Sequence, residues 1–370
     1  MLLRGKVIAL AAVLPIALGS VGSVAAEPVS QSAGLRVGVT TLHLVDAGRP
    51  DPWQPSTPRE LVVTIHYPAV HAEGYPVADR LLPGIPSTVL AARAHVDAPT
   101  EAGALPVLLY SPAASFPAQA GATLAEDLAD SGYAVVSISD THGTAPATVF
   151  PDGHVELYDP RNVTEPLDDV LRIASAARAG DIGFVLDKLA TMARGDTRDA
   201  DGKQLPAGVG AALDLSKVGM YGHSLGGTMT VFADQRIQAG VDLDGYAPPS
   251  YLAPGLVAAP ERPMLFLFGN TPDPDVRRTS VDSMLAGRTG WTRELALSGA
   301  GHWAFSDLVY LPRQLAESPI LSAYLGTIAP DRAHAIIRAY VTAMFDRFLR
   351  GRPAPLLDAN PSEFPEVTAA

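Results

Sequence analysis

Gly222-His223-Ser224-Leu225-Gly226-Gly227 sets a serine between glycines two residues away on either side. An apolar strand, Val218-Gly219-Met220-Tyr221, leads into it, and the residues from Leu225 onward read as a helix leading out. This context suits nucleophilic catalysis, because a serine on a sharp, strained strand-to-helix turn presents its hydroxyl at the carboxyl edge of a sheet. The chain passes so close to itself there that Gly222 and Gly226 supply the absence of Cβ atoms, and Gly227 lets the helix pack on the strand. The helix amino terminus directs its free N–H groups at the site, which favours a developing oxyanion. Ser224 is therefore the expected nucleophile. The adjacent His223 is not its base, since neighbouring side chains on such a turn diverge and a base must reach Oγ.

A base and an acid must follow in the order Ser, then Asp or Glu, then His, each in a loop after a strand. His302 lies in Ser298-Gly299-Ala300-Gly301-His302-Trp303, where small residues leave room to bring an imidazole over the serine. Two loops compete for the acid. Asp244 ends the short strand Val241-Asp242-Leu243-Asp244, and a carboxylate at the end of an apolar strand is costly unless paired. Asp273 is the alternative, in Gly269-Asn270-Thr271-Pro272-Asp273-Pro274-Asp275, where a Pro-flanked turn and helix start give an ordinary explanation for both aspartates. Asp242 alternates to the other face of its strand and is a weaker candidate.

One oxyanion donor is expected to be the backbone N–H of Leu225. The other should come from the loop Ser111-Pro112-Ala113-Ala114-Ser115-Phe116, and Ala114 is assigned to it, with Ala113 as its neighbour. Trp303 and Phe305 flank the base, where they either line a pocket or pack. The connections between the later strands are short, so no large lid is expected and the site should be open.

The elements that must position these groups follow from periodicity. Leu35 to Val45 and Glu60 to Tyr67 read as two opening antiparallel strands. From Pro106 onward strands and helices alternate. Strands are expected at Val107–Tyr110, Tyr133–Ser139, Lys217–Gly222, Val241–Asp244, Pro263–Phe268 and Arg293–Leu297. Helices are expected at Gly121–Ser131, Leu167–Met192 (with a kink near Gly180 or Gly183), Gly226–Asp234, Asp275–Leu285 and Asp331–Leu349. That alternation predicts an α/β fold: a mostly parallel central sheet of about eight strands, with helices on both faces. No repeat or long linker divides the chain.

Residues 1–26 read as a secretory signal peptide. Arg4 and Lys6 precede an apolar stretch from Val7 to Leu18, and the small residues Ser23-Val24-Ala25-Ala26 follow it. The stretch is shorter than the roughly 20 residues a spanning helix needs, so no stable membrane anchor is expected. Residues 27–370 form one domain, secreted or periplasmic. The net charge of −12 argues against nucleic acid or anionic lipid as partner. The absence of cysteine excludes thiol catalysis, a lipobox anchor and thiolate-bound metal. No metal or organic cofactor is expected, the partner is a small-molecule or lipid ester, and the sequence carries no signal for the oligomeric state. Thr197-Arg198-Asp199-Ala200-Asp201-Gly202 lacks the first ligand of a calcium loop. Asp140-Thr141-His142 has no spaced partner for a metal. Asn162-Val163-Thr164 is a glycosylation sequon by pattern.

Ser224 in Gly-His-Ser-Leu-Gly-Gly, Asp244 in Leu-Asp-Gly and His302 in Gly-His-Trp-Ala-Phe-Ser-Asp together resemble the plasma-type platelet-activating-factor acetylhydrolase family and its bacterial relatives. Tyr110-Ser111-Pro112, Phe150-Pro151-Asp152-Gly153 and Phe345-Asp346-Arg347-Phe348-Leu349 share the likeness, which runs from about Leu35 to Gly351. The resemblance implies an α/β-hydrolase fold and ester hydrolysis. It also implies an acid after the earlier strand, at Asp244, and the second oxyanion donor at Ala114. Pro112-Ala113 departs from the family's frequent His-Gly, and Ser111-Pro112 is shared instead with cutinase-like polyester hydrolases, in which the acid follows the later strand. A cutinase-like polyester or triglyceride hydrolase is thus the alternative enzyme. The alternative outside enzymes is an inactive binding protein on the same scaffold, against which an intact Ser, Asp and His set argues.

Overall fold

The computed structural model describes residues 36–79, 82, 90–101, 103–270, 274–311, 318–358 and 362–370. The expected signal peptide and Asp273 lie outside them. In chain order the elements are β1 (Arg36–Pro50), β2 (Pro58–Ala69), β3 (Ala94–Val96), β4 (Leu105–Ser111), α1 (Ala122–Asp130), β5 (Ala134–Ile138), β6 (Ala147–Val149), β7 (Val155–Leu157), α2 (Leu167–Ala193) and β8 (Leu213–His223). They continue with α3 (Leu225–Met229), β9 (Ile237–Leu243), β10 (Met264–Phe268), α4 (Pro274–Leu285), β11 (Thr292–Leu297), α5 (Pro319–Leu325), α6 (Pro330–Arg350) and β12 (Val367–Ala369).

Among the described residues ten strands form one sheet in the order β12-β11-β10-β9-β8-β4-β5-β2-β1-β3, and β6 and β7 make a separate hairpin. The run from β5 through β4, β8, β9 and β10 to β11 is parallel, and the opening strands β1 and β2 pair antiparallel as expected. The sheet exceeds the expected eight because β3 and β12, of three residues each, are too short to leave an alternating pattern.

Alternation decides which face each strand residue meets. Leu108 and Tyr110 of β4, Tyr221 of β8 and Leu265 and Leu267 of β10 pack with α1 and α6 on one face. Val107, Leu109, Val218 and Met220 point the other way, against Ile182, Val185, Leu186 and Leu189 of α2. α4 covers Met264, Phe266 and Phe268 on that same side. Both faces are closed, which explains the continuous apolar runs of the central strands.

α2 runs continuously through Gly180 and Gly183, and the space where a Gly180 side chain would lie is filled by the Arg49 guanidinium. One local expectation is revised: α3 ends at Met229 rather than Asp234. The Thr230 hydroxyl bonds the Gly227 carbonyl (2.6 Å), and the buried Arg262 takes the carbonyls of Thr230, Ala233, Asp234 and Ile237, so the chain leaves the helix. Burial, with Arg288 nearby, pushes the Arg262 guanidinium down to about 10.

The chain leaves β4 for β5 on one side, while β8 lies on the other. The loops at the carboxyl ends of β4 and β8 therefore diverge and open a crevice, where ligands bind in sheets of this kind. Among the described residues no helix is long and apolar enough to cross a membrane.

Candidate active site

Ser224 is the first residue after β8 and has φ 57° and ψ −123°, a backbone state that non-glycine residues enter only when their surroundings enforce it. Its N–H donates to the Leu243 carbonyl (3.0 Å), and its carbonyl accepts from Thr228 N (2.9 Å). A Cβ at Gly222 would collide with the backbone of Gly226, and one at Gly226 with the carbonyl of Ser111. The glycine spacing thus reports two close approaches, one within the turn and one to the end of β4.

Asp244 follows β9, also at positive φ (54°), and is buried. Its Oδ1 accepts from Gly269 N (2.9 Å) after β10, and its Oδ2 accepts from Nδ1 of His302 (2.6 Å). Nδ1 must carry the proton to bond a carboxylate, which leaves the Nε2 lone pair of His302 free to accept one. His302 opens a 3-10 turn, and Gly301 before it has no room for a side chain against the carbonyls of Ala323 and Tyr324 at the end of α5. α5 thereby buttresses the loop of the expected base.

His223 is fully buried, and Nε2 donates to the His302 carbonyl (2.8 Å). Burial, reinforced by the nearby His302, holds its pKa well below the ordinary histidine range, so it is a neutral strut under the base. Asp242 also turns toward the elbow, where Oδ1 accepts from Gly245 N (2.6 Å) and fills the space left by the missing Gly227 side chain. Burial pushes its carboxyl well above the usual carboxylate range.

Of the two aspartates in the later loop, Asp275 is exposed in the first turn of α4. Leu225 and Ala114 meet in one apolar cluster with Val170, Leu171 and Ala174 of α2, which brings the two expected oxyanion segments together. Trp303 and Phe305 are both buried. Trp303 packs between Phe116 (5.9 Å between ring centroids) and Tyr324 (5.1 Å), and Phe305 joins the core with Tyr221 and Leu243. Phe305 is thus packed in the core, and Trp303 stands behind the loop that holds Ala113.

Sequence reasoning missed a buried ionic cluster behind that loop. Arg59, fully buried, donates to Asp51 Oδ2 (2.8 Å), Asp140 Oδ1 (2.8 Å), Asp181 Oδ2 (2.8 Å) and the Thr141 carbonyl (2.9 Å). Arg178, also buried, reaches Asp140 and the backbone of the loop after β4. Burial opposes the charge of Arg59, yet Asp181 and Asp140 hold its pKa well above the ordinary value. The only sequence signal was that charged residues stand where apolar ones are expected, at Arg178 and Asp181 on the inner face of α2. His142 bonds the Leu157 carbonyl (3.2 Å), and the Asn162 amide donates to the carbonyls of His142 (3.0 Å) and Asp159 (2.9 Å). Asp199 takes three backbone N–H groups, from His43, Asp201 and Lys203, as a polar turn does. Among the described residues no group of His, Cys, Asp and Glu is arranged to hold a metal ion.

No protein-family model matches the chain. The chain is 25% identical over 280 residues to a protein of Arthroderma benhamiae named probable 1-alkyl-2-acetylglycerophosphocholine esterase, a relative of the platelet-activating-factor acetylhydrolase kind. The match takes in 71% of this chain, which spans 65% of the length of that relative. A solved structure, a ferulic acid esterase from Streptomyces cinnamoneus, superposes with a TM-score of 0.74 at 30% identity, over 93% of this chain and 98% of the other. Both likenesses agree with the expected family resemblance and fold. The chain belongs to the α/β-hydrolase esterases.

Proposed function

We propose that this protein hydrolyses carboxylic esters through an acyl-enzyme on Ser224. The observation that carries the reading is the 2.6 Å bond from His302 Nδ1 to a buried Asp244 whose other oxygen is fixed by Gly269 N–H. His302 Nε2 takes the Ser224 proton as Oγ attacks the ester carbonyl, then gives it to the departing alkoxide. Water, activated by the same imidazole, attacks the acyl-enzyme and releases the acid. Asp244 holds the tautomer and steadies the imidazolium, while Leu225 N–H and Ala114 N–H hold the tetrahedral oxyanion.

The substrates are short acyl groups on lipids or soluble esters, in keeping with relatives named for esterase activity. The protein is exported, and its secreted form begins near Glu27, which amino-terminal sequencing of the secreted product checks. Ser224→Ala removes ester turnover by about 10⁴-fold or more and abolishes fluorophosphonate labelling, with the fold retained. Labelling that survives the change overturns the assignment. An acyl-length series that includes acetylated phospholipid, a feruloyl ester and a polyester film then ranks the substrates.

A further inference from the structure

We infer that Arg178 is a positioning residue for the oxyanion hole, acting through the peptide planes of the loop after β4. The inference rests on the proposed Ser224 esterase reading and names a residue that the Ser, His and Asp set does not include.

Arg178 lies in the interior of α2 and is 4% exposed. Its Nη1 donates to the Ser111 hydroxyl (3.2 Å) and to the Pro112 carbonyl, its Nη2 to the Ala113 carbonyl (3.2 Å), and its Nε to Asp140 Oδ2 (3.4 Å). One planar fork thus holds three consecutive residues of the loop. Each peptide unit is planar and trans, so a carbonyl and the next residue's N–H point from opposite edges. Fixing the Ala113 carbonyl toward Arg178 turns the Ala114 N–H away from it. Fixing the Pro112 carbonyl does the same for the Ala113 N–H. Both possible donors on this loop are therefore aimed by the same guanidinium.

The helix that supplies Arg178 also sets the other donor. Ala174, one turn earlier on the same face, belongs to the same apolar cluster as Leu225. A single rigid element registers the two halves of the oxyanion hole. The charge adds to this effect: a cation bonded to a peptide carbonyl polarises that unit, and the N–H on its far edge becomes a stronger donor. A lysine cannot reproduce this geometry, because one ammonium does not span the carbonyls of Pro112 and Ala113 together with Asp140.

The test uses the full secreted chain with p-nitrophenyl acetate, and an alkyl trifluoromethyl ketone that adds to Ser224 as a tetrahedral oxyanion. Acylation and deacylation both pass through that oxyanion, so Arg178→Lys lowers kcat by about 10- to 100-fold with KM within about threefold, below the full loss of a donor. The ketone's inhibition constant rises by the same factor. Arg49→Met, which removes the ion pair of Arg49 with Asp181 at the far end of the same cluster, lowers the melting temperature while kcat stays within about twofold. If Arg178→Lys keeps kcat, or loses it without losing ketone affinity, the inference is overturned. If Arg178→Lys does not fold, Asp140→Asn is read the same way, with a fall of about 3- to 10-fold expected in both quantities and an unchanged pair overturning the inference. Absence of Ser224 labelling in the unaltered protein would remove the underlying esterase reading, and it is seen before any variant is made.

Discussion

The two sides of the crevice are held by different physics. On the elbow side, β8 and β9 bring Ser224 and Asp244 close through backbone approaches, His302 reaches Asp244 from the loop after β11, and burial shifts His223 and Asp242 beneath them toward their neutral forms. On the loop side, Arg59 at the start of β2 and Arg178 of α2 form buried ion pairs with Asp51, Asp140 and Asp181, and Arg178 bonds the backbone after β4. Steric fit tolerates no added atom, and buried charge tolerates no missing partner. Each side should therefore fail in its own way.

The largest effect is expected on the elbow side, at the proposed acid. Asp244→Asn leaves the shape but lets His302 take the wrong tautomer, and kcat falls by about 10⁴-fold while the melting temperature changes little. The same change at Asp273 leaves kcat within about twofold, and a large loss there instead would move the acid to the later loop. Steady-state kinetics on both variants decides it. Gly226→Ala comes next, because its methyl would meet the Ser111 carbonyl and push the two sides apart. A drop of about 100-fold in kcat is expected from displacing one oxyanion donor. About 1–3 kcal/mol of stability is lost with it, measured by thermal unfolding.

The loop side is broken by Arg59→Met, which strands Asp51, Asp140 and Asp181 without their shared cation. Removing one partner of a buried ion pair costs about 3–5 kcal/mol, so denaturant unfolding should shift strongly. Turnover per folded molecule should fall by less than in Gly226→Ala, since Arg178 still holds the loop. A kcat loss larger than that of Gly226→Ala would place the ionic cluster above the elbow in importance.

The same division explains what was legible in the sequence. The elbow is contiguous, so its glycines, its serine and the strand before it could be read directly. Asp244 was legible as a carboxylate without an apolar excuse. The ionic cluster joins β2, the loop before it, the loop after β5 and the middle of α2, and nothing local links Arg59 to Asp181. The early end of α3 was hidden for the same reason, because Arg262, more than twenty residues on, takes its carbonyls. Short-range sterics leave motifs, whereas long-range charge pairing leaves single residues that look misplaced.

Asp242 is where the comparison can be sharpened most finely, as a buried carboxyl on the side without cations. One of its oxygens accepts from Gly245 N–H and the other has no partner among the described residues, so burial, together with the adjacent Asp244, raises its pKa well above that of an unfolded chain. Below about pH 3.9 the group is neutral in both states and has no effect on stability. As pH rises past that point the unfolded chain ionises while the folded chain keeps the proton, which favours unfolding by about 1.4 kcal/mol per pH unit until the folded pKa is reached. Asn keeps the acceptor for Gly245 and cannot ionise. The stability of Asp242→Asn relative to the unaltered protein should therefore increase from pH 4 to pH 7, measured by thermal unfolding at each pH. A difference that stays constant over that range would mean that Asp242 is ionised in the fold, and the elbow side would then hold an unpaired buried charge of the kind that the loop side neutralises with arginine.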